Sequence, residues 1–290
     1  MATFRILTDS CCDLKQETAD QLDLTVVPLT LNYKNQEYPN YLDHRALDVK
    51  EFYDGLRTAV PTSTTAANPQ QWYNAAEPVL QQGEDVLILP FSSGLSTTCN
   101  AANMAAADLA EVYPDRKIVV VDTLCASLGQ GLLCWLVAKK ANAGASLEET
   151  AAYAEELVPQ LAHWFTVNDL FFLKRGGRIS GATAVVGSLL QIKPVLHVDD
   201  EGHLVSVSKA RGRKASIQAL AAKVGEDAIA PETQTVFISH GDCPEDAEYL
   251  AALLKEQYQV PEVYINHVGP VIGSHSGPGT LAMFYIGKKR

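Results

Sequence analysis

The chain has few cysteines and no long apolar run. Its 290 residues include six cysteines, without a Cys-x-x-Cys pair or a cysteine–histidine spacing typical of zinc sites. We therefore expect small buried thiols, with neither disulfides nor a structural metal. No stretch approaches the ~18–20 uncharged apolar residues of a membrane span, so no membrane span is expected.

Basic residues are also scarce relative to acidic ones. The net charge of −11 argues against a general nucleic-acid binder, because such proteins use surplus Lys and Arg to neutralise phosphates. A hydrophobic content of 47% with 20% charged residues is ordinary for a soluble globular protein. Residues 4–9 already have the pattern of a strand rather than of a signal peptide, which favours a cytoplasmic protein.

Short apolar runs alternate with amphipathic helical patterns in the first half. The predicted strands are 4–8, 24–31, 86–90 and 117–121, and the predicted helices are 13–22, 44–58, 69–82, 98–112, 126–142 and 147–161. This alternation is typical of a parallel sheet covered by helices on both faces. Ligands of such sheets bind beyond the carboxyl ends of the strands.

The second half has a different pattern. Its predicted strands are 164–168, 195–199, 203–209, 235–239, 262–267 and 281–286, with helices near 181–190, 213–228 and 244–257. A hairpin turn around residues 199–202 indicates that this sheet is at least partly antiparallel. We predict an α/β fold with two domains, 1–161 and 162–290, divided near Leu161.

A loop rich in hydroxyl groups, residues 91–98, follows the predicted strand 86–90 and precedes a helix. We call it the Ser/Thr loop; it contains Ser92, Ser93, Ser96 and Thr97. A strand–turn–helix order directs free backbone N–H groups and the helix dipole at one point, which suits a carboxylate or a phosphate.

Residues 61–69 form a second segment of this kind, with Thr62, Ser63, Thr64 and Thr65 before a predicted helix. Asn68 suits the N-cap and Pro69 the first helical turn. The alternative interpretation is therefore a helix cap behind a solvated linker, since Ser/Thr turns before helices are common.

Glycine and proline are concentrated around one histidine near the end of the chain. Four glycines and two prolines between positions 269 and 280 flank His275 and restrict the backbone path. His275 in such a frame suits donation to an anion, or service as a base. The alternative is a tight strand connection with an incidental histidine.

Two basic islands contrast with the acidic total. The first, between positions 170 and 194, and the second, between 204 and 224, contain no acidic residue; their cations are Lys174, Arg175, Arg178 and Lys193, then Lys209, Arg211, Arg213, Lys214 and Lys223. Such islands favour contact with a phosphate or an acidic partner, and the alternative is a solvated, salt-bridged surface.

These segments together resemble the DegV family. Matching pieces lie at 6–10, 64–65, 92–96, 122–123, 169–179, 192–194, 209–211 and 273–280. The most specific are the Leu-Lys-Arg-Gly-Gly-Arg-Ile run at 173–179 and the Gly-Ser-His-Ser-Gly-Pro-Gly-Thr run at 273–280.

The resemblance implies a two-domain α/β protein that encloses one long-chain fatty acid and has no other cofactor. Bacterial members of this type are the non-catalytic, acyl-carrying subunit of a fatty acid kinase. A separate ATP-dependent kinase protein phosphorylates the bound carboxylate, and the acyl phosphate enters phospholipid synthesis.

The resemblance also assigns residues. It implies that Thr64 or Thr65, together with Ser92 and Ser93, contacts the carboxylate, with His275 nearby and Arg178 supporting the polar network. Arg211 matches an arginine associated with the kinase step. This chain departs from the family pattern in having Thr65 where Ser is usual and Thr97 where Gly is usual.

Two enzyme classes compete with the carrier. A hydrolase of acyl esters or thioesters would use Ser93 as nucleophile and His275 as base, but no Gly-x-Ser-x-Gly elbow is present. A self-sufficient kinase would need a phosphate-binding motif. The chain has neither Gly-x-x-x-x-Gly-Lys-Ser/Thr nor a Gly-x-Gly-x-x-Gly that follows a strand.

Overall fold

The computed structural model describes residues 4–179 and 191–290. Its strands are β1 (Phe4–Asp9), β2 (Leu24–Val27), β3 (Thr30–Tyr33), β4 (Gln36–Pro39), β5 (Thr62–Thr65), β6 (Asp85–Leu89), β7 (Ile118–Val120), β8 (Leu161–Thr166), β9 (Ile192–Val198), β10 (Leu204–Arg211), β11 (Thr235–His240), β12 (Glu262–His267) and β13 (Leu281–Ile286). The predicted helix near 181–190 lies outside the described residues.

The described α-helices are α1 (Gln16–Gln21), α2 (Val49–Arg57), α3 (Pro69–Gln81), α4 (Thr98–Val112), α5 (Leu128–Asn142), α6 (Leu147–Leu157), α7 (Phe171–Arg175), α8 (Arg213–Asp227), α9 (Pro244–Tyr258) and α10 (Pro270–Ser276). The N-terminal ends of α3 and α6 are fixed by capping boxes. At α3, Asn68 accepts from the Gln71 backbone N–H while the Gln71 side chain accepts from the Asn68 N–H, both at 2.9 Å. The prediction of Asn68 as N-cap is confirmed.

The first sheet is parallel, in the order β2-β1-β6-β7. Neighbouring residues on each central strand point to opposite faces, so Ile6 and Leu87 pack under α5 and α6 while Leu7 and Ile88 pack under α3 and α4. Both faces are therefore buried by helices, as the uninterrupted apolar strands predicted.

The second sheet is mixed, in the order β10-β9-β8-β13-β11-β12, and only β11 and β12 pair in parallel. The predicted hairpin is present as β9 and β10, with a turn closed by the Gly202 N–H to the Asp199 carbonyl at 3.0 Å. One face packs on α8 and α9. The other packs on α5, which contacts both large sheets within one continuous core.

A third sheet, antiparallel in the order β4-β3-β5, was not predicted. The predicted strand 24–31 divides at Pro28, which lacks an N–H for a ladder, so β2 joins the parallel sheet and β3 the new one. Residues 62–65, predicted as loop, form β5. That prediction was wrong because threonines adopt extended backbone readily, although the segment has no apolar alternation.

Several predicted bounds were too long. The predicted helix 13–22 is reduced to α1, which a 3-10 turn at Ser10–Cys12 precedes, and the predicted helix 44–58 is reduced to α2. The predicted helix 147–161 ends at Leu157, and Leu161 is the first residue of β8. The division into two domains at Leu161 stays a prediction. Among the described residues, no helix combines the length and the apolar character needed to cross a bilayer.

Candidate functional site

A cavity of about 480 Å³ lies where the Ser/Thr loop, the mixed sheet and β5 meet. Its wall is mainly apolar, with Phe91 and Leu95 from the Ser/Thr loop, Phe165 and Phe284 from the mixed sheet, and Val271 from α10. The volume falls within the roughly 300–1,000 Å³ that is usual for sites of small organic ligands. An apolar wall with few polar groups suits a ligand that is mostly hydrocarbon.

Thr64 contributes a hydroxyl to this wall. Strand β5 alternates its side chains, so Thr64 faces the cavity while Thr65 is exposed. The Thr65 hydroxyl instead accepts from the Asn32 side chain at 3.4 Å. Of the two threonines that the resemblance offered, the structure brings Thr64 to the cavity and leaves Thr65 outside it.

His275 lies beside Thr64 on the cavity wall. Thr64 Oγ1 and His275 Nε2 are 2.8 Å apart. The histidine is on the short helix α10, so the prediction of a loop around it was wrong; the helix ends at Ser276 and is capped by Gly277, which has a φ of 81°. A Cβ at Gly176 would lie 2.3 Å from His275 Nδ1, and this glycine therefore leaves the space that the ring occupies.

The electrostatic surroundings keep the His275 ring neutral. Burial is the main cause, and the nearby guanidinium groups of Arg178 and Arg175 act in the same direction, lowering the pKa of His275 from 6.5 to about 4. At neutral pH the ring therefore carries one proton. It acts as a hydrogen-bond partner of Thr64 rather than as a cation.

We predicted that the Ser/Thr loop would offer free backbone N–H donors, but four of its N–H groups are already paired. The Ser93 N–H donates to Asp122 Oδ1 at 3.2 Å, and the Gly94 N–H donates to Ser92 Oγ at 3.1 Å. The N–H groups of Leu95 and Ser96 both donate to the Ser92 carbonyl at 3.1 Å. These four amides are therefore not available to a ligand, which leaves mainly the side chains of the loop for that role.

The first two serines of this loop differ in position. Ser93 is exposed at the cavity wall, and its hydroxyl has no hydrogen-bond partner in the described part of the chain. Ser92 is fully buried and donates to the Gly202 carbonyl at 3.1 Å, which ties the loop to the β9–β10 hairpin. The prediction of Ser92 as a ligand contact is not supported, because its hydroxyl serves the fold and does not line the cavity.

Arg178 also lines the cavity. Its Nε donates to the Leu95 carbonyl at 3.2 Å, and its guanidinium also reaches the Gly176 carbonyl. It therefore links the Ser/Thr loop to the segment that follows α7. A positive charge at this place favours an anionic head group near His275.

Arg211 lies away from the cavity, at the exposed end of β10. Within residues 4–179 and 191–290 it forms no ion pair, whereas the neighbouring Arg213 pairs with Asp246 at 2.8 Å. The second basic island is therefore partly neutralised, and Arg211 remains available to an external anion or acidic surface.

A second polar group on the cavity wall could not be recognised from the sequence. Asp13 Oδ2 lies 2.5 Å from Ser127 Oγ, which lies 2.9 Å from Ser239 Oγ. Both serines line the cavity, while Asp13 is buried behind them and accepts from the Gly269 N–H at 3.0 Å. The three residues come from distant parts of the chain, so no motif spacing connects them.

Neither competing enzyme class gains support from this geometry. Among the described residues, His275 Nε2 is paired with Thr64, and no hydrogen bond joins it to Ser93. The described ranges also contain no cluster of three or more His, Cys, Asp or Glu side chains with the geometry of a metal site.

The chain belongs to the DegV family. The family model described as "Uncharacterised protein, DegV family" matches residues 3–288. A DegV domain-containing protein of Clostridium perfringens is 44% identical over 287 residues, which cover 99% of this chain and 98% of the relative.

Two solved structures share the fold. A DegV family protein from Thermus thermophilus, described by its fatty acid binding, is 31% identical with a TM-score of 0.85, over 98% of this chain and 99% of that one. The Streptococcus pneumoniae Fatty Acid Kinase (Fak) B3 protein, loaded with linoleic acid, has a TM-score of 0.87 over 99% of this chain and 99% of that one. At 23% identity, the second comparison shows the shared fold alone.

Proposed function

We propose that this protein binds one long-chain fatty acid in the cavity and presents its carboxylate to a separate kinase. The observation that carries the proposal is the Thr64–His275 pair at the edge of a mainly apolar cavity. Fatty acid binding by the related Thermus thermophilus protein supports the same ligand class.

The tail supplies most of the affinity. Each buried CH₂ contributes about 0.8 kcal/mol, so a chain of roughly 16 carbons offers on the order of 10 kcal/mol of gross burial. The carboxylate adds less, but it must recover the hydration that it loses, because an unpaired buried carboxylate is very costly.

The hydrogen bonding at the head group follows from the neutral state of His275. When Nε2 bears the ring proton, it donates to Thr64 Oγ1, and the Thr64 hydroxyl proton is then free for the carboxylate. Ser93 supplies a second hydroxyl donor and Arg178 a nearby positive charge. The fatty acid thus meets two donors without a formal ion pair.

The protein itself is a carrier in this proposal. The partner kinase transfers the terminal phosphoryl group of ATP to a carboxylate oxygen, which yields acyl phosphate and ADP. The acyl phosphate then enters phospholipid synthesis. Arg211, exposed and outside the cavity, contacts either the kinase or the phosphoryl group being transferred.

Native mass spectrometry of the purified protein, followed by denaturing extraction, tests the ligand. We expect a mass increment that extraction releases as an unmodified fatty acid. Covalent labelling of Ser93 by a fluorophosphonate would instead support a hydrolase, and turnover of ATP with oleate by the protein alone would overturn the carrier assignment.

A further inference from the structure

The Asp13–Ser127–Ser239 chain of hydrogen bonds ends at the wall of the fatty acid cavity. Ser239 on β11 and Ser127 before α5 are both buried and both line the cavity. Neither belongs to the elements that bring Thr64, Ser93 and His275 together. The cavity wall therefore has a second polar site, formed by the two serine hydroxyls and hydrogen-bonded to the buried carboxyl group of Asp13.

The Ser127 hydroxyl donates to Ser239 Oγ at 2.9 Å, so its single proton is not available for the 2.5 Å contact with Asp13 Oδ2, and Asp13 supplies the proton there. Burial raises the pKa of Asp13 from 3.8 to about 8, so the carboxyl is mainly neutral at pH 7. Its Oδ1 accepts from the Gly269 N–H, which leaves the proton on Oδ2, facing Ser127. Asp13 then donates to Ser127, and Ser127 donates to Ser239.

The hydroxyl of Ser239 is left with a proton that no described group accepts. Each hydroxyl has a single proton, and Ser127 Oγ has used its own on Ser239 Oγ. The Ser239 proton has no acceptor in the described part of the chain, and the side chain faces the cavity. An unpaired donor on an apolar wall is unfavourable, and a ligand oxygen there would remove that cost.

We propose that Ser239 is a specificity residue for fatty acids that carry an oxygen on the chain, a hydroxyl or a keto group, in addition to the carboxylate. This inference rests on the proposed fatty acid binding. The Ser239 hydroxyl donates to the chain oxygen, while Thr64 and Ser93 hold the carboxylate. A hydroxyl or keto group at the matching distance from the carboxylate is preferred over a plain chain.

Binding measurements with stearic acid and a set of monohydroxylated stearic acids test the proposal. For at least one position of the hydroxyl, we expect wild-type protein to bind the hydroxylated acid about tenfold more tightly than stearic acid, the effect of one added hydrogen bond. Ser239→Ala should bring this ratio close to one. The matched control is Thr280→Val, at a buried residue of the cavity wall whose hydroxyl already donates to the Gly277 carbonyl at 2.8 Å, and it should leave the ratio unchanged.

A second variant tests the direction of the chain. Asp13→Asn keeps the shape of the side chain, and its amide N–H donates to Ser127 as the neutral carboxyl does. The preference should therefore survive in Asp13→Asn. Loss of the preference in a folded Asp13→Asn protein would overturn the assigned direction of donation.

Other outcomes distinguish a failure of the Ser239 proposal from a failure of the proposed fatty acid binding. If stearic acid binds and every hydroxylated isomer binds equally or more weakly, Ser239 is no specificity residue. The same conclusion holds if the preference persists in Ser239→Ala. If neither acid binds to wild-type protein, the proposed fatty acid binding itself fails.

Discussion

Thr64 and His275 form a hydrogen bond of 2.8 Å although 211 positions separate them in the chain. The contact joins β5 to α10 on the wall of a mainly apolar cavity. Because burial and two guanidinium groups keep His275 neutral, the pair has one proton to direct at a ligand.

Thr64→Ala should weaken fatty acid binding about ten- to a hundredfold, the usual effect of losing one hydrogen bond to a charged group, while the tail stays buried. Thr65→Ala is the matched control, since the same substitution one residue away falls on the exposed face of β5. Fluorescent fatty acid displacement measures both. Equal affinities for the two variants would remove Thr64 from the head-group site.

Ser93→Ala and Ser92→Ala should have different consequences. Ser93 has a free hydroxyl at the cavity wall, so its loss should lower fatty acid affinity and leave the melting temperature nearly unchanged. Ser92 is buried between Gly94 and Gly202, so its loss should lower the melting temperature by leaving both groups unpaired. Titration and thermal unfolding distinguish them, and the opposite pattern would contradict the assignment.

Gly176→Ala should destabilise the protein by about 1–3 kcal/mol, because the new methyl group collides with the His275 ring rather than with the backbone. The φ of −73° at Gly176 is compatible with alanine. In a His275→Ala background the same substitution should cost much less. Denaturant unfolding of the four proteins in this double-mutant cycle measures the coupling, and additive effects would argue against it.

Arg211→Ala should bind fatty acid normally yet lose most acyl phosphate formation when the partner kinase and ATP are supplied. The arginine is exposed and lies outside the cavity, so its removal leaves the ligand contacts intact. Lys255→Ala, an exposed charge change on α9, is the control and should support normal phosphorylation. Reduced fatty acid binding by Arg211→Ala would place Arg211 in the ligand site instead.

Stability should fall with rising pH between about 4 and 8 through Asp13. Its pKa is about 8 in the folded protein against 3.8 in the free side chain, so the folded state holds the proton over this interval and the unfolded state does not. The contribution is complete below pH 4 and is lost as pH rises to 8. Asp9 also titrates in this interval, because burial raises its pKa to about 6.

The comparison with Asp13→Asn isolates the Asp13 contribution. Chemical denaturation across this pH range should show a slope smaller by about one proton in the variant, because the amide does not ionise. Identical slopes in the two proteins would show that Asp13 is already ionised in the folded state.

The sequence predicted the parts of the fold whose signals are local. Residues 98–112, 262–267 and 281–286 match α4, β12 and β13 residue for residue, because each has a clear hydrophobic period and bounding turn residues. The third sheet was missed, since β5 is made of threonine and serine and is recognisable only from its pairing with β3. A polar strand is specified by its neighbour more than by its own composition.

The residues of the candidate site also fall into two groups, those recognisable from the sequence and those that required the structure. His275 and Ser93 stand in motifs of unusual composition, and both line the cavity. The choice between Thr64 and Thr65 needed the register of β5, because adjacent residues on a strand face opposite sides. The Asp13–Ser127–Ser239 chain required the tertiary structure, since its members stand on three separate segments.

The paired N–H groups of the Ser/Thr loop affect how well small cellular anions compete with a fatty acid for the cavity. Inorganic phosphate and sulfate bind to helix N-termini through unpaired N–H groups, and such groups at Ser93, Gly94, Leu95 and Ser96 are already occupied by Asp122 and Ser92. Asp122 also brings a negative charge beneath the loop. Small anions therefore find these four groups unavailable, whereas a molecule with a hydrocarbon tail also gains from burial against the apolar wall of the cavity.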